Sequence, residues 1–145
     1  MDILHIEDNS EEAHLVARVL EKEGITTSYH LLNNGETALE FFFQTHPFPE
    51  MWPKLILLDI KLPKVNGLDV LAHLKADDRT KTIPIIILSA SAQERDVALA
   101  YKLGVNSYLV KPVKYTHFKD LLKSLGKYWL QHNTQNNNQE KAGRR

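Results

Sequence analysis

Four short apolar runs in this sequence are each followed at once by a residue able to do chemistry. Ile3-Leu4-His5-Ile6 leads into Glu7 and Asp8, Leu55-Ile56-Leu57-Leu58 into Asp59, Ile85-Ile86-Ile87-Leu88 into Ser89, and Tyr108-Leu109-Val110 into Lys111. If these runs are neighbouring strands of a parallel sheet, three acids, an alcohol and an amine meet on one rim. That rim, beyond the carboxyl ends of the strands, is where such sheets bind ligands. Two carboxylates about 4 Å apart repel by roughly 4 kcal/mol at an effective dielectric near 20. Three of them beside one lysine therefore need a further cation or must take up protons. Ligands made only of oxygen suit Mg²⁺ far better than zinc. A divalent ion beside a free carboxylate and a lysine is equipment for phosphoryl transfer, where a protein mainly positions reactants and neutralises charge. Asp59 is the expected acceptor, because a carboxylate can attack phosphorus to give an aspartyl phosphate. Glu7 and Asp8 are expected to hold the metal, Lys111 to pair with phosphoryl oxygens, and Ser89 to hydrogen-bond one of them. Any one of these residues could simply solvate a strand end or cap a helix. All five in this order make that explanation poor.

The segments between the runs must bring those residues together. Asn9 and Glu12, at capping-box spacing, open a helix that carries Leu15, Val16, Val19 and Leu20 and stops at Gly24. A second helix holds Ala38, Leu39, Phe42 and Phe43 and ends before Pro47, and a third follows Gly67 with Val70, Leu71 and Leu74. Ser91 and Glu94 repeat the capping-box spacing for a fourth helix ending at Gly104, while Phe118, Leu121, Leu122, Leu125 and Trp129 form the apolar stripe of a fifth. Near-continuous apolar strands are those covered on both faces of a parallel sheet. The β-prone but more polar Thr26 to Leu31 suits an edge strand. Five strand–helix units with right-handed crossovers give an α/β fold, (βα)5, a doubly wound parallel sheet. An apolar first strand and a polar second one fit the flavodoxin-like strand order 2-1-3-4-5. Asn66-Gly67 alone could mark a hairpin, but the flanking runs do not alternate as hairpin strands do.

Composition narrows the function. The 145 residues are 43% hydrophobic, enough for one domain with a substantial core. Eighteen Lys and Arg balance eighteen Asp and Glu, which argues against a general nucleic-acid binder. The absence of cysteine excludes thiolate zinc sites, disulfides and cysteine nucleophiles. No stretch approaches the roughly 18 uncharged apolar residues of a membrane span, so a soluble cytoplasmic domain is expected. Seven scattered histidines lack metal-ligand spacing and read as surface or core residues. Residues 1–132 form the expected domain, and the polar segment 133–145 reads as a disordered tail.

These motifs resemble the receiver domain of two-component response regulators over Asp2 to His132. The resemblance is carried by Ile6-Glu7-Asp8-Asn9, Leu57-Leu58-Asp59-Ile60-Lys61-Leu62-Pro63, Asn66-Gly67, Leu88-Ser89-Ala90 and Lys111-Pro112. Thr45 to Lys54, Leu62-Pro63-Lys64, Ile83-Pro84, the Tyr101, Asn106 and Tyr108 neighbourhood, and Tyr128-Trp129-Leu130 are similar to single-domain regulators of bacterial phytochromes. The resemblance implies that a sensor histidine kinase, in this subgroup of phytochrome type, donates a phosphoryl group to Asp59 in a Mg²⁺-dependent step. It implies a metal held by Glu7, Asp8, Asp59 and the main-chain carbonyl of Lys61, and the Ala90 amide joining Ser89 and Lys111 around the phosphate. It further implies that Ser89 moves toward the phosphate, that Tyr108 turns inward behind it, and that the Lys111-Pro112 peptide is cis. The face made by the fourth helix, fifth strand and fifth helix would carry the signal and could form a homodimer. Trp129, beyond the expected length of the sheet, is the foremost interface residue. Ser89 stands where threonine is commoner, which loses a methyl but keeps the donor. Lys61 and Ser91, each two residues past a site residue, occupy positions that influence phosphate lifetime in the family.

Two other classes fit less well. A small phosphatase or hydrolase working through an aspartyl phosphate on this fold would carry a second acid two places after Asp59, where Lys61 stands. A nucleotide or flavin binder would want glycines after the first strand, but Asp8-Asn9-Ser10-Glu11-Glu12 is acidic and would repel phosphates. With only polar residues after the fifth helix, a stand-alone phosphoacceptor signalling through protein contacts, rather than an enzyme acting on a separate substrate, is the expectation.

Overall fold

Burial on both faces requires strands with no polar side, and three of the apolar runs meet that requirement. In the computed structural model, which describes residues 1–25 and 28–136, β1 (Ile3–Ile6), β3 (Leu55–Leu58) and β4 (Ile85–Ser89) are buried at every position. They form the centre of a five-stranded sheet of order β2-β1-β3-β4-β5, all pairs parallel. The flavodoxin-like order expected from the sequence is therefore observed. Alternate residues divide the core in two. Leu4, Ile6, Ile56, Leu58, Ile85 and Ile87 face one cluster, and Ile3, Leu55, Leu57, Ile86 and Leu88 face the other.

The edge strands are β2 (Tyr29–Leu32) and β5 (Ser107–Val110), and both are only partly covered. The expected second strand began at Thr26, but Thr26 and Thr27 lie outside the described residues, and the pairing starts at Tyr29 opposite Ile3. Strand β5 departs from the fully covered strand its apolar run implied. As the last strand it has one neighbour, and Val110 is exposed.

Helices α1 (Ser10–Lys22) and α5 (Tyr115–Gly126) cover one face, with Val16, Leu20, Phe118 and Leu122 buried. Helices α2 (Gly35–Glu40) and α3 (Gly67–Ala76) cover the other, joined there by Ala100 of α4 (Glu94–Lys102). Asn9, Asn34 and Asn66 cap the first three helices, each side chain accepting the amide three residues on. The Ser91–Glu94 capping box does not form. Helix α4 starts at Glu94, two residues later than that spacing implies, and Ser91 Oγ donates to Asp96 Oδ2 at 2.6 Å.

Helix α2 continues as a π-helical turn over Phe41–Thr45, followed by a 3₁₀ turn at Pro49–Met51. This segment ends by sealing the sheet: Trp52 is buried against Phe42, and its Nε1 donates to the His46 carbonyl at 2.7 Å. Helix α5 likewise continues as a π-helical turn over Lys127–His132. Trp129, expected to stand beyond the sheet, is partly buried against the α1–α5 cluster. The reason is a close approach at Gly126, where a Cβ would lie 2.7 Å from Ile25 Cγ2, which draws the end of α5 onto Leu20 and Ile25. The start of the expected tail is also tied back: Asn133 N donates to Tyr128 O at 2.6 Å and Gln135 Nε2 to Trp129 O at 3.0 Å. Residues 137–145 of that segment lie outside the described residues.

Gly67 opens α3 directly beneath the strand end that carries Asp59. Its amide donates to Ile60 O at 2.7 Å, and a Cβ there would meet Asp59 O at 1.9 Å. No backbone carbonyl tolerates that approach, so Gly67→Ala must push the β3–α3 loop outward. The expected loss is at least about 2 kcal/mol of stability in urea unfolding, the range for overpacking without room to relax. An unchanged midpoint would show that the loop yields freely.

Candidate functional site

The register of the sheet decides what meets at the rim. Ile6 pairs with Leu58, Leu58 with Ile87, and Ser89 with Val110, so the next residues of β1, β3 and β5 leave the sheet side by side. Glu7 is anchored by its amide on Leu32 O at 3.0 Å and Asp59 by its amide on Ile6 O at 3.1 Å. Ile60 N donates to Asp59 Oδ1 at 2.8 Å, which orients the carboxyl group. Oxygens of Glu7, Asp8 and Asp59 lie within 4.8 Å of one another; Glu7 and Asp59 are buried and Asp8 is exposed. Lys111 N donates to Ser89 O at 2.8 Å, and its side chain then turns into the acids. Its Nζ lies 2.8 Å from Glu7 Oε1, 2.5 Å from Glu12 Oε2 and 3.5 Å from Asp59 Oδ2.

Four of the five expected residues thus share one cluster, and Ser89 lies buried beside it at the end of β4. Ala90 is exposed and lines, with Lys111 and Pro112, a groove beside the cluster. Lys61 is exposed two residues past Asp59. Ser91 N donates to Ser89 Oγ at 3.2 Å, and Tyr108 OH donates to Ser91 O at 2.8 Å, so Tyr108 is tied to the loop that carries Ser89. The expected cis bond between Lys111 and Pro112 is not found: every peptide bond among the described residues is trans. An X–Pro amide favours trans by about 0.5–1 kcal/mol, and Lys111 reaches all three acids with the bond in that form.

Glu12 was not among the residues expected to act here. Its spacing from Asn9 marks it as a capping partner, and its amide is capped, donating to Asn9 Oδ1 at 3.2 Å. Its carboxylate instead joins Lys111, 99 positions away. No local signal in the sequence shows a partner at that distance.

The cluster carries more negative than positive charge. Burial, with the neighbouring Glu12, raises the Glu7 carboxyl above its ordinary value despite the opposing pull of Lys111. Burial also lifts Asp59, to about 6, with Lys111 working against the shift and Glu7 adding to it. For Lys111, burial lowers the ammonium, but its bonds to Glu12 and Glu7 and the charge of Asp59 outweigh that and hold it above its ordinary value. Behind the cluster, burial drops His5 to about 3, so it is neutral, and its Nδ1 lies 2.6 Å from Tyr29 OH. Tyr29 OH in turn donates to Ala13 O at 3.2 Å, joining β1, β2 and α1 behind the acids.

Carboxylates raised by burial and by one another, with oxygen as the only donor, fit a hard divalent cation, which would favour their ionised forms. Without such an ion, the folded state holds the Asp59 proton more tightly than the unfolded chain. That contribution to stability is complete below about pH 4 and is lost as pH rises through about 6. Asp59→Asn lacks this titration. In metal-free buffer its stability relative to the unsubstituted protein should therefore grow as pH is raised from 4 to 7. Thermal unfolding of the two proteins across that range measures this, and parallel curves would contradict it.

Known proteins resemble this chain in sequence and in fold. Residues 3–123 match the family model of the response regulator receiver domain. Response regulator Rcp1 of Synechocystis is 35% identical over 130 residues, 89% of this chain and 88% of that protein. The probable methanogenesis regulatory protein FilR2 of Methanothrix harundinacea is 36% identical over 128 residues, 88% of this chain and 83% of that protein. The structure of the phosphorylated cyanobacterial phytochrome response regulator RcpA superposes with a TM-score of 0.84 at 31% identity, covering 92% of this chain and 96% of that one. The Mn²⁺-bound form of Rcp1 superposes with a TM-score of 0.81 at 33% identity, covering 92% and 97%. The family match over residues 3–123 and the shared fold show that the chain belongs to the response regulator receiver domain family of two-component signalling.

Proposed function

We propose that this receiver domain takes a phosphoryl group from a sensor histidine kinase onto Asp59. The supporting observation is the meeting of Lys111, on the edge strand, with Asp59 and Glu7 at 3.5 and 2.8 Å, beside a trio of carboxylates within 4.8 Å. Glu7, Asp8, Asp59 and the carbonyl of Lys61 would hold Mg²⁺. When bound, that ion supplies positive charge to the phosphoryl oxygens and relieves the repulsion among the acids. Asp59 Oδ2, facing Lys111, forms the new bond to phosphorus as the P–N bond of the donor phosphohistidine breaks. Lys111, Ser89 and the Ala90 amide then satisfy the phosphoryl oxygens.

The switch follows from existing bonds. Ser89 Oγ already accepts Ser91 N, and Ser91 O accepts Tyr108 OH, so drawing Ser89 toward a phosphoryl group pulls on Tyr108 and on the start of α4. Leu99, Tyr101, Val110 and Tyr115 leave apolar surface exposed on the face made by α4, β5 and α5, a surface suited to a second copy of the chain. The likeness to the phytochrome response regulator RcpA supports a phytochrome-type kinase as donor, with signalling through protein contacts. Among the described residues no helix is long and apolar enough to cross a membrane, and a cytoplasmic location accords with such a partner. Equal numbers of acidic and basic residues give no support for nucleic-acid binding.

Incubation with Mg²⁺ and a small acyl phosphate should add one acid-stable, base-labile phosphoryl group, seen by mass spectrometry, and Asp59→Asn should abolish it. Equal labelling of that variant would rule out Asp59 as the acceptor. Lys111→Ala should still be labelled, but the label should no longer shift the Tyr108 ring signals by NMR. A shift as large as in the unsubstituted protein would remove the lysine from the switch.

A further inference from the structure

Glu12 gives up a local role for a distant one. In a reciprocal cap its carboxylate would return to the Asn9 amide. That amide instead faces Glu7 Oε2 at 3.5 Å, while Glu12 Oε2 takes the Lys111 ammonium at 2.5 Å. The pair is largely withdrawn from water, with the Lys111 side chain 10% and that of Glu12 19% exposed. An ammonium has three N–H groups. Glu7 and Glu12 take two of them at short range, and Asp59 Oδ2 is left at 3.5 Å. That is well outside the roughly 2.7–2.9 Å of a full charge-assisted hydrogen bond.

We infer that Glu12 is a positioning residue that, in the unphosphorylated protein, parks Lys111 short of a full hydrogen bond with Asp59. This rests on the reading of Asp59 as phosphoacceptor and of the acids as a cation site, and adds a regulatory element to it. While parked, Lys111 lies 3.5 Å from Asp59 Oδ2 and neutralises that oxygen less than a full charge-assisted hydrogen bond would. Once Asp59 carries the phosphoryl group, Lys111 exchanges Glu12 for a phosphoryl oxygen, and Glu12 sets the free energy of that exchange. Both side chains line a groove of about 510 Å³ between the start of α1 and the loop after β5, so the released Glu12 carboxylate can be hydrated. Its neighbour Glu11, on the same turn and exposed, provides the matched control for plain electrostatic effects.

The test compares Glu12→Gln, Glu11→Gln, Lys111→Ala and the double variant Glu12→Gln/Lys111→Ala, each labelled with ¹⁵N-lysine. In metal-free protein the Lys111 ammonium, held by two carboxylates, should give a resolved ¹⁵N–¹H signal that shifts or broadens in Glu12→Gln and is unchanged in Glu11→Gln. By calorimetry, Glu12→Gln should weaken Mg²⁺ binding by about threefold or more, as the released lysine moves onto Asp59. Glu11→Gln, and Glu12→Gln in the Lys111→Ala background, should each change it by less than about twofold, the scale of loss of a partly exposed charge. A Lys111 signal that ignores Glu12→Gln, or an equal loss of Mg²⁺ affinity when Lys111 is already absent, would overturn the inference. If the unsubstituted protein binds no Mg²⁺, the cation-site reading fails, and the metal-free signal still decides whether Glu12 holds the lysine.

Discussion

Repulsion among carboxylates that the sheet forces together is the constraint from which the rest of this site follows. Backbone bonds fix Glu7 and Asp59, Asp8 follows Glu7 in the chain, and oxygens of the three lie within 4.8 Å of one another. Glu12 arrives from the first turn of α1, and Lys111 is the cation that reaches Glu7, Glu12 and Asp59. The cluster is therefore short of positive charge, and burial, with the neighbouring carboxyl groups adding to it, lifts Glu7 and Asp59 above the usual carboxylate range. A site in this condition gains free energy from any partner that brings positive charge.

The scaffold makes that condition possible because it cannot relax. β1, β3 and β4 are buried on both faces, so a one-residue slip of any of them would exchange the two cores as well as move an acid. Gly67 brings the start of α3 into contact with the Asp59 carbonyl, so the Asp59 backbone has packed atoms beneath it. At the opposite end of the sheet, Lys75 Nζ donates to Lys81 O, Ile83 O and Asn106 Oδ1, and Asn106 Oδ1 also accepts Ile85 N. That end, where β4 and β5 begin, is tied to α3. The rim, by contrast, is joined through single hydrogen bonds from Ser89 to Ser91 to Tyr108.

How much of this was legible in the residues divides along a physical line. Fold class and strand order could be read because burial leaves a local trace: continuous Ile and Leu runs for strands covered on both faces, 3.6-residue stripes for helices, and a polar second strand at the edge. The principal site residues could be read because a parallel sheet places whatever follows each strand on one rim, so Glu7, Asp8, Asp59, Ser89 and Lys111 needed only their position after an apolar run.

Tertiary structure decided what depends on partners remote in sequence. Glu12 looks like half of a capping box until Lys111 arrives from 99 residues away. Ser91 carries the same signature and spends its hydroxyl on Asp96. Trp129 looks free until Gly126 lets the end of α5 settle on Leu20 and Ile25, and the trans Lys111–Pro112 bond shows that the lysine's reach comes from its own side chain. Periodicity and strand ends are properties of consecutive residues and survive in one dimension. The choice a charged or polar side chain makes among competing partners is an energy difference set by distance and burial, and only the folded chain supplies those.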